Sequence, residues 1–148
     1  MSATRTEVRL EPGRVATDLD RLRALAEGSD AAAIAAALGE QPGELLSDLD
    51  DIDAGFDDWL ASERVRRREQ RRQIAIAVAR RALAQRRAEP ACAVAERLLA
   101  AEPCDEAAAR LAMEAWASLG DRDGVRRVHA RHAEAVRVGF DPEVIGHA

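Results

Sequence analysis

Apolar residues recur every three or four positions along most of the chain, which is the spacing of one face of an α-helix. The first such segment carries Leu19, Leu22 and Leu25 on one face. Residues that commonly begin or end helices separate the segments. They are Thr17 or Asp18, Gly28, Ser29 or Asp30, Gly39, Asp105, Gly120, Asp121 and Gly139. The pattern therefore predicts a series of helices joined by short loops.

The longest predicted helix begins near Phe56. Gly55 interrupts the acidic stretch before it, and neither proline nor glycine occurs again until Pro90. We therefore predict one continuous helix of about 30 residues, since nothing in the stretch signals a stop. Asp57 and Asp58 are expected in its first turn, where the positive end of the helix dipole favours acids.

The beginning of the chain follows a different pattern. Val8 and Leu10 alternate with polar residues, and Pro12-Gly13 favours a turn before Val15. We predict a short extended hairpin there. The expected organisation is an extended N-terminal segment, residues 1–16, followed by one helical domain, residues 17–148.

Two segments in the second half share a period of about 34 residues, the length of a tetratricopeptide unit. Ala91 and Ala95 take the small packing positions of one unit, and Val125 and His129 take the matching places in the next. Trp116 occupies a large first-helix position. Because each helix pair has an apolar face that a neighbour must cover, the predicted fold is all-α: tetratricopeptide-like stacked antiparallel helix pairs, an α-solenoid.

Six arginines fall between positions 64 and 72. On a helical wheel Arg64, Arg67 and Arg71 lie on the same stripe as Leu60 and Ile74. A solvated run of charge would lie opposite the apolar stripe, so these three are candidates for an ion-pair or interaction face. The other three arginines of the run are predicted to be ordinary solvated helix residues. They are Arg66, Arg68 and Arg72.

Three interpretations of the in-line arginines remain open. They pair with carboxylates of the same chain, for which the stretch from Asp48 to Asp58 is the nearest supply. Alternatively they face a protein partner, or they contact phosphate. Smaller surface pairs are expected between Glu63 and Arg67 and between Glu69 and Arg72.

Composition narrows the range of functions. The chain is 47% hydrophobic and 33% charged, which is typical of a globular protein, and only 3% of its residues are aromatic. Its 22 basic residues, all arginine, are outnumbered by 27 acids, and a net charge of −5 argues against tight, general nucleic-acid binding. Trp59 and Trp116 are predicted to be aromatic core anchors. Either one, if exposed, becomes a candidate hot spot for a partner.

The sequence carries no recognisable catalytic constellation. His129 and His132 share a helical face, but no third metal ligand is near them in sequence, and Cys92 and Cys104 lie in different elements. Neither a phosphate-binding loop nor a nucleophile motif occurs. We therefore predict no enzyme activity, no cofactor and no metal. The opening residues lack a signal peptide and no run has transmembrane length, so a cytoplasmic location without a membrane partner is expected.

The joint order of several motifs resembles the bacterial transcriptional activator domain. "GELLSDLDDIDAGFDDWLASERVRRR" is similar to the family's first part, and "LLAAEPCDEAAARLAMEAWASLGDRDGVRRVHARH" to its closing repeat. "VGFDP" is similar to its ending. The resemblance implies a tetratricopeptide-like module of antibiotic-regulator (SARP) type transcription regulators. There it follows a winged-helix DNA-binding domain and supports activation, self-association and response to other domains.

The resemblance leads to a functional prediction. We expect a non-catalytic regulatory protein–protein interaction module of a transcription activator. The segment before Thr17 is too short for a winged helix, so we expect the chain to be a fragment of a larger regulator or to work with a separate DNA-binding partner. Candidate partners are a DNA-binding or regulatory domain, the transcription machinery, or a second copy in a homodimer. The alternative is a general tetratricopeptide-like scaffold or homodimerisation adaptor without a transcriptional role.

Overall fold

The structure is a computed structural model, and it describes residues 2–3, 8–9, 16–40, 45–50 and 52–139. Six helices follow one another along this part of the chain. They are α1 (Asp18–Glu27), α2 (Ala31–Gly39), α3 (Ala54–Ala84), α4 (Ala88–Ala101), α5 (Glu106–Ser118) and α6 (Arg122–Gly139). The predicted all-α fold is confirmed.

The helices stack as consecutive pairs. α1 packs on α2, α3 on α4 and α5 on α6, while α2 contacts α4 and α4 contacts α5 across the pairs. α3 is much longer than its neighbours, with 31 residues against 14 in α4 and 13 in α5. Its second half supplies the buried alanines and Val78 of the common core, whereas its first half contributes Leu60, which is 1% exposed and lies outside that cluster.

Two short strands, β1 (Ser2–Ala3) and β2 (Val8–Arg9), precede the helices and pair antiparallel. The extended hairpin predicted here had its turn at Pro12-Gly13. In the described pairing the partner of Val8 is Ala3, on the upstream side. Pro12-Gly13, Leu10 and Val15 lie outside the described residues.

Side-chain caps explain where the helices begin. Thr17 and Asp20 form a reciprocal capping box at α1, and Asp30 accepts from the Ala33 N–H at 3.0 Å at the start of α2. Asp53 begins α3 by accepting from the N–H groups of Gly55 and Phe56 at 2.9 and 3.0 Å.

The cap at Asp53 corrects two expectations about α3. Gly55 lies inside the first turn and does not end the segment before the helix, because Asp53 satisfies amides that would otherwise have no partner. The first turn therefore contains Asp57 but not Asp58, which follows it by one residue. The predicted length of about 30 residues is confirmed.

Small side chains form most of the core. Within the described part of the chain, eight alanines are completely buried: Ala31, Ala75, Ala79, Ala91, Ala95, Ala108, Ala112 and Ala115. Ile34, Val78 and Val94 fill the space between them. Because alanine projects little from the helix surface, neighbouring helix axes can approach closely, and this close approach is what the stacked arrangement requires.

The repeat register predicted for α6 is wrong by one residue. Val125 is only half-buried and His129 is exposed, whereas Gly124 and Val128 are buried. The reason is Trp116 of α5, whose ring lies against the backbone of Gly124. A Cβ atom at position 124 would lie 2.6 Å from Cδ2 of that ring. A large ring on one helix therefore requires a glycine on the next.

Replacing Gly124 with alanine should destabilise the domain. The added methyl group has to displace the Trp116 ring, and overpacking of this kind commonly costs about 1–3 kcal/mol. Gly28→Ala is the matched control, because Gly28 has helical backbone angles and its Cβ would meet only ordinary contacts, the nearest at 3.6 Å. Thermal unfolding followed by circular dichroism compares the two. Equal Tm values for both variants would contradict the packing described here.

Candidate functional site

The arginine run lies on α3, before the buried residues that this helix contributes to the common core. Its members point in different directions, because successive residues of a helix are rotated by about 100°. Each arginine therefore has its own surroundings. Ion pairs with described acids outside α3 are formed by Arg64, Arg71 and Arg72.

Arg64 holds the turn at residues 45–50 against α3. Its Nε donates to the Leu45 carbonyl at 3.0 Å, and its Nη2 to the Leu46 carbonyl at 3.2 Å. Its Nη1 binds the Asp50 carboxylate at 2.8 Å. Leu46 has a left-handed backbone (φ 51°), which breaks helical geometry in the turn. Arg64 thus acts as a clamp on an irregular segment.

Arg71 connects α3 to the beginning of α1. Its Nη1 binds the Asp18 carboxylate at 2.7 Å, and the arginine side chain is largely buried. Further along α3, Arg81 donates to the Ser29 hydroxyl at 2.8 Å, just after the end of α1. α1 therefore runs alongside the second half of α3 and is held at both ends.

Arg72 makes the most buried ion pair among the described residues. Its Nε and Nη2 bind the two carboxylate oxygens of Asp105 at 2.6 and 2.8 Å. The Asp105 side chain is only 3% exposed and also caps α5 through the Ala108 N–H at 3.1 Å. One carboxylate thereby orients both α3 and α5.

The hydrogen bond from Arg72 is the main reason that the pKa of Asp105 lies below its usual range, and the pKa of Arg72 is correspondingly raised. Sequence reasoning assigned Arg72 to the solvated surface, and that assignment is wrong. On the helical wheel Arg72 lies away from the stripe of α3 that faces α1. However, α3 also packs against a second helix, α5, and Arg72 faces that one. The only feature of the sequence that points to this pair is Asp105 itself, an acid that directly precedes an apolar helical segment.

The remaining in-line arginine, Arg67, is half-buried and makes no hydrogen bond or ion pair with the described residues. The expected Glu63–Arg67 pair is replaced by Glu63–Arg66 at 3.0 Å, while Glu69–Arg72 is present at 3.2 Å. Arg66 is exposed, as expected. The structure therefore brings Arg64 and Arg71 to internal acids and leaves Arg67 without one.

The two tryptophans differ in their surroundings. Trp116 is half-buried, and its Nε1 donates to Glu96 at 3.1 Å. Glu96 also binds Arg131 at 2.7 Å, so the ring and this carboxylate fasten α6 to α4 and α5. Arg127 lies over the ring, 5.7 Å from its centroid. Trp116 therefore contacts both α4 and α6.

Trp59 lies on the first half of α3 and is 50% exposed, so the core-anchor interpretation does not describe it. One side of its ring contacts Phe56, with the ring centroids 5.6 Å apart. Two other apolar side chains near it in sequence are also exposed, Ile52 and Val65. Large exposed apolar groups concentrated in one segment are typical of protein interaction surfaces.

The described residues include cysteines and histidines, which are groups that could bind a metal ion or act as nucleophiles. They contain no group of three or more His, Cys, Asp or Glu side chains that could hold a metal ion. Cys92 is buried, and burial raises the pKa of its thiol to about 11, which makes it a weak nucleophile. Cys104 is exposed, and His132 lies with its Nδ1 3.0 Å from the Pro103 carbonyl. No described helix is long and apolar enough to cross a membrane.

The stacked helix pairs define a tetratricopeptide-like helical protein. Residues 5–141 match the family model of the bacterial transcriptional activator domain, so the chain belongs to that family. The resemblance noted in the sequence is thereby confirmed. The family consists of regulatory domains of transcription activators. No curated protein and no solved structure matches the chain.

Replacing Arg72 with glutamine should destabilise the fold more than any other single change in the run. It leaves a buried carboxylate without its guanidinium, and lost hydrogen bonds to charged groups are worth about 1.5–3 kcal/mol. Arg67→Gln is the matched control, with an expected change within about 0.5 kcal/mol. Urea unfolding at neutral pH measures both. A smaller loss for R72Q than for R67Q would contradict the role given to the Arg72–Asp105 pair.

The same pair predicts a dependence of stability on pH. Because the folded pKa of Asp105 is lowered, its contribution is complete above the unfolded pKa, about 4, and is lost as the pH falls through the folded pKa. The difference in unfolding free energy between wild type and Asp105→Asn should therefore be largest at neutral pH and shrink below about pH 4. Glu114→Gln removes an exposed carboxylate that forms no ion pair among the described residues, so it should follow the wild-type profile. A D105N difference that stays constant down to pH 3 would count against the pair.

Proposed function

We propose that this chain is a non-catalytic protein–protein interaction module of a bacterial transcription activator. It acts in the cytoplasm together with a winged-helix DNA-binding domain, which the described helices do not form. The observation that carries the proposal is the exposed Trp59 on the first half of α3. Tryptophan is the residue most enriched at the centres of protein interfaces, where its burial contributes much of the binding free energy.

The charges of α3 support a protein partner over DNA. Phosphate binding requires arginines with free donors on one face, and the donors of Arg64, Arg71 and Arg72 are engaged with acids and carbonyls. The chain also has a net charge of −5, so its overall field repels a polyanion. Membership of the bacterial transcriptional activator family supports a role for this interaction in transcription regulation.

A transcription reporter tests this function. The chain is fused to an unrelated DNA-binding domain whose site lies upstream of a weak bacterial promoter. We expect several-fold more transcription than with the DNA-binding domain alone, because the module recruits or orders other proteins at the promoter. Trp59→Ala should return transcription most of the way to background. Leu119→Ala, which truncates another exposed apolar side chain at the end of α5, should leave it unchanged.

Two results would overturn the proposal. Transcription no higher than with the DNA-binding domain alone would favour a helical scaffold or adaptor without a transcriptional role. Retention of duplex DNA by the unfused chain at nanomolar concentration and moderate salt, in a mobility-shift assay, would show that the arginines bind phosphate directly.

A further inference from the structure

The turn at residues 45–50, which we call the strap, lies over the first half of α3. Arg64 of α3 donates to two carbonyls of the strap at 3.0 and 3.2 Å and to the Asp50 carboxylate at 2.8 Å. A long side chain on a helix extends towards the N-terminus and lies over the turn before its own Cα. The Arg64 guanidinium and the strap that it binds therefore lie over the turn of α3 that contains Leu60.

The face of α3 beneath the strap combines two apolar side chains with one cation. Phe56, Leu60 and Arg64 follow one another at intervals of four residues, so they share one side of the helix. Leu60 is only 1% exposed, although it lies outside the common core. The Phe56 ring contacts the ring of Trp59, so this face continues into exposed apolar surface. We call Phe56, Leu60 and Arg64 the Leu60 face.

The strap presents groups that complement the Leu60 face. Leu45 and Leu49 are half-buried, whereas the three residues between them are exposed. Asp50 supplies a carboxylate to Arg64, whose side chain is only 15% exposed. A guanidinium with so little access to water needs carboxylate or carbonyl partners. Leucines and an acid are therefore the chemistry that this face accepts.

The contacts that hold the strap can be replaced by those of another segment. Leu46 has a left-handed backbone (φ 51°), which is unfavourable for a leucine. The Asp50 side chain is 51% exposed, so water screens its ion pair and reduces what the pair contributes to stability. Segments with few buried apolar contacts open locally while the rest of the domain remains folded. A competing segment therefore has to displace this turn and not the core.

From these contacts we propose that the strap occupies a binding site, the Leu60 face, for an acidic, leucine-containing segment of another protein. The bound strap closes the site, and its release opens the site to the partner. Charge complementarity determines the class of partner, because a basic segment would place like charge against Arg64. The inference rests on the proposed interaction function and names the chemistry of the segment that is bound.

Peptide binding tests the competition. The probe is a fluorescent peptide with the sequence of residues 44–51, ELLSDLDD, titrated with the full chain and followed by fluorescence anisotropy. Leu49→Ala/Asp50→Asn weakens the strap but leaves the Leu60 face intact. The L49A/D50N chain should bind the peptide about tenfold more tightly than the wild type, because apparent affinity falls with the fraction of chains whose site is open.

A third substitution shows whether the gain uses the Leu60 face. Arg64→Gln in the L49A/D50N background should abolish the gain, because the peptide loses its cation. Arg67→Gln in the same background is the matched control, since it removes another half-buried arginine of α3, and it should keep the gain. The peptide ELLSDLNN, which lacks the last two carboxylates, should bind about fivefold more weakly than ELLSDLDD. No gain in L49A/D50N, or a gain that R64Q leaves intact, would overturn the inference.

Amide hydrogen exchange tests whether the strap opens by itself. L49A/D50N should raise the exchange rate of residues 45–50 about fivefold and leave the rate in α4, which lies in the common core, unchanged. Equal acceleration in both segments would show that the substitutions loosen the whole domain, and the strap would then not be a separate unit.

The outcomes separate this inference from the proposed function. Reporter activity that depends on Trp59, without any gain of peptide binding in L49A/D50N, would disprove the strap and leave the function standing. A gain of peptide binding that depends on Arg64, in a chain without reporter activity, would support the strap and disprove the transcriptional function.

Discussion

The bidentate pair between Arg72 and Asp105 fixes the geometry on which the rest of the molecule depends. Asp105 is nearly inaccessible to solvent and serves two helices at once, as the cap of α5 and as the ion-pair partner of α3. A buried carboxylate requires such partners, since an unpaired charge in the interior is strongly destabilising. The pair therefore determines where α5 begins relative to α3. Arg72 lies near the middle of α3, just before the segment of that helix that packs in the common core.

Alanine and glycine make this arrangement possible. Helices whose contact faces are mainly alanine can pack closely with any neighbour, so alanine alone specifies the register weakly. The large groups supply specificity. A side chain at position 124 would have to displace the Trp116 ring, whose Nε1 binds Glu96 of the neighbouring pair. The position of α6 is thus determined by one ring and one carboxylate more than by the alanines around them.

Local signals in the sequence predicted the helices well, whereas partners distant in sequence escaped prediction. Caps such as Thr17, Asp30 and Asp121 act within three residues of themselves, so a single sequence reveals them. Arg72 and Asp105 are 33 residues apart, and Arg71 and Asp18 are 53 residues apart. Those pairs depend on which helices stack, and the wheel of one helix does not contain that information. The exposure of Trp59 could not be predicted either. In a chain with few aromatic residues a tryptophan is expected in the core, and only the stacking of the helices shows which face of α3 stays uncovered.

The arginine run now has a physical interpretation that differs from a binding patch. A patch for nucleic acid needs its cations on one surface, and here rotation along the helix distributes them among separate neighbours. Arg64 holds the turn before α3, Arg71 holds α1, and Arg72 holds α5. Arg66 is exposed and binds Glu63 of the same helix. Guanidinium suits all of these positions because its planar fork of donors can bind a carboxylate or several carbonyls at once, which a lysine ammonium cannot match in geometry.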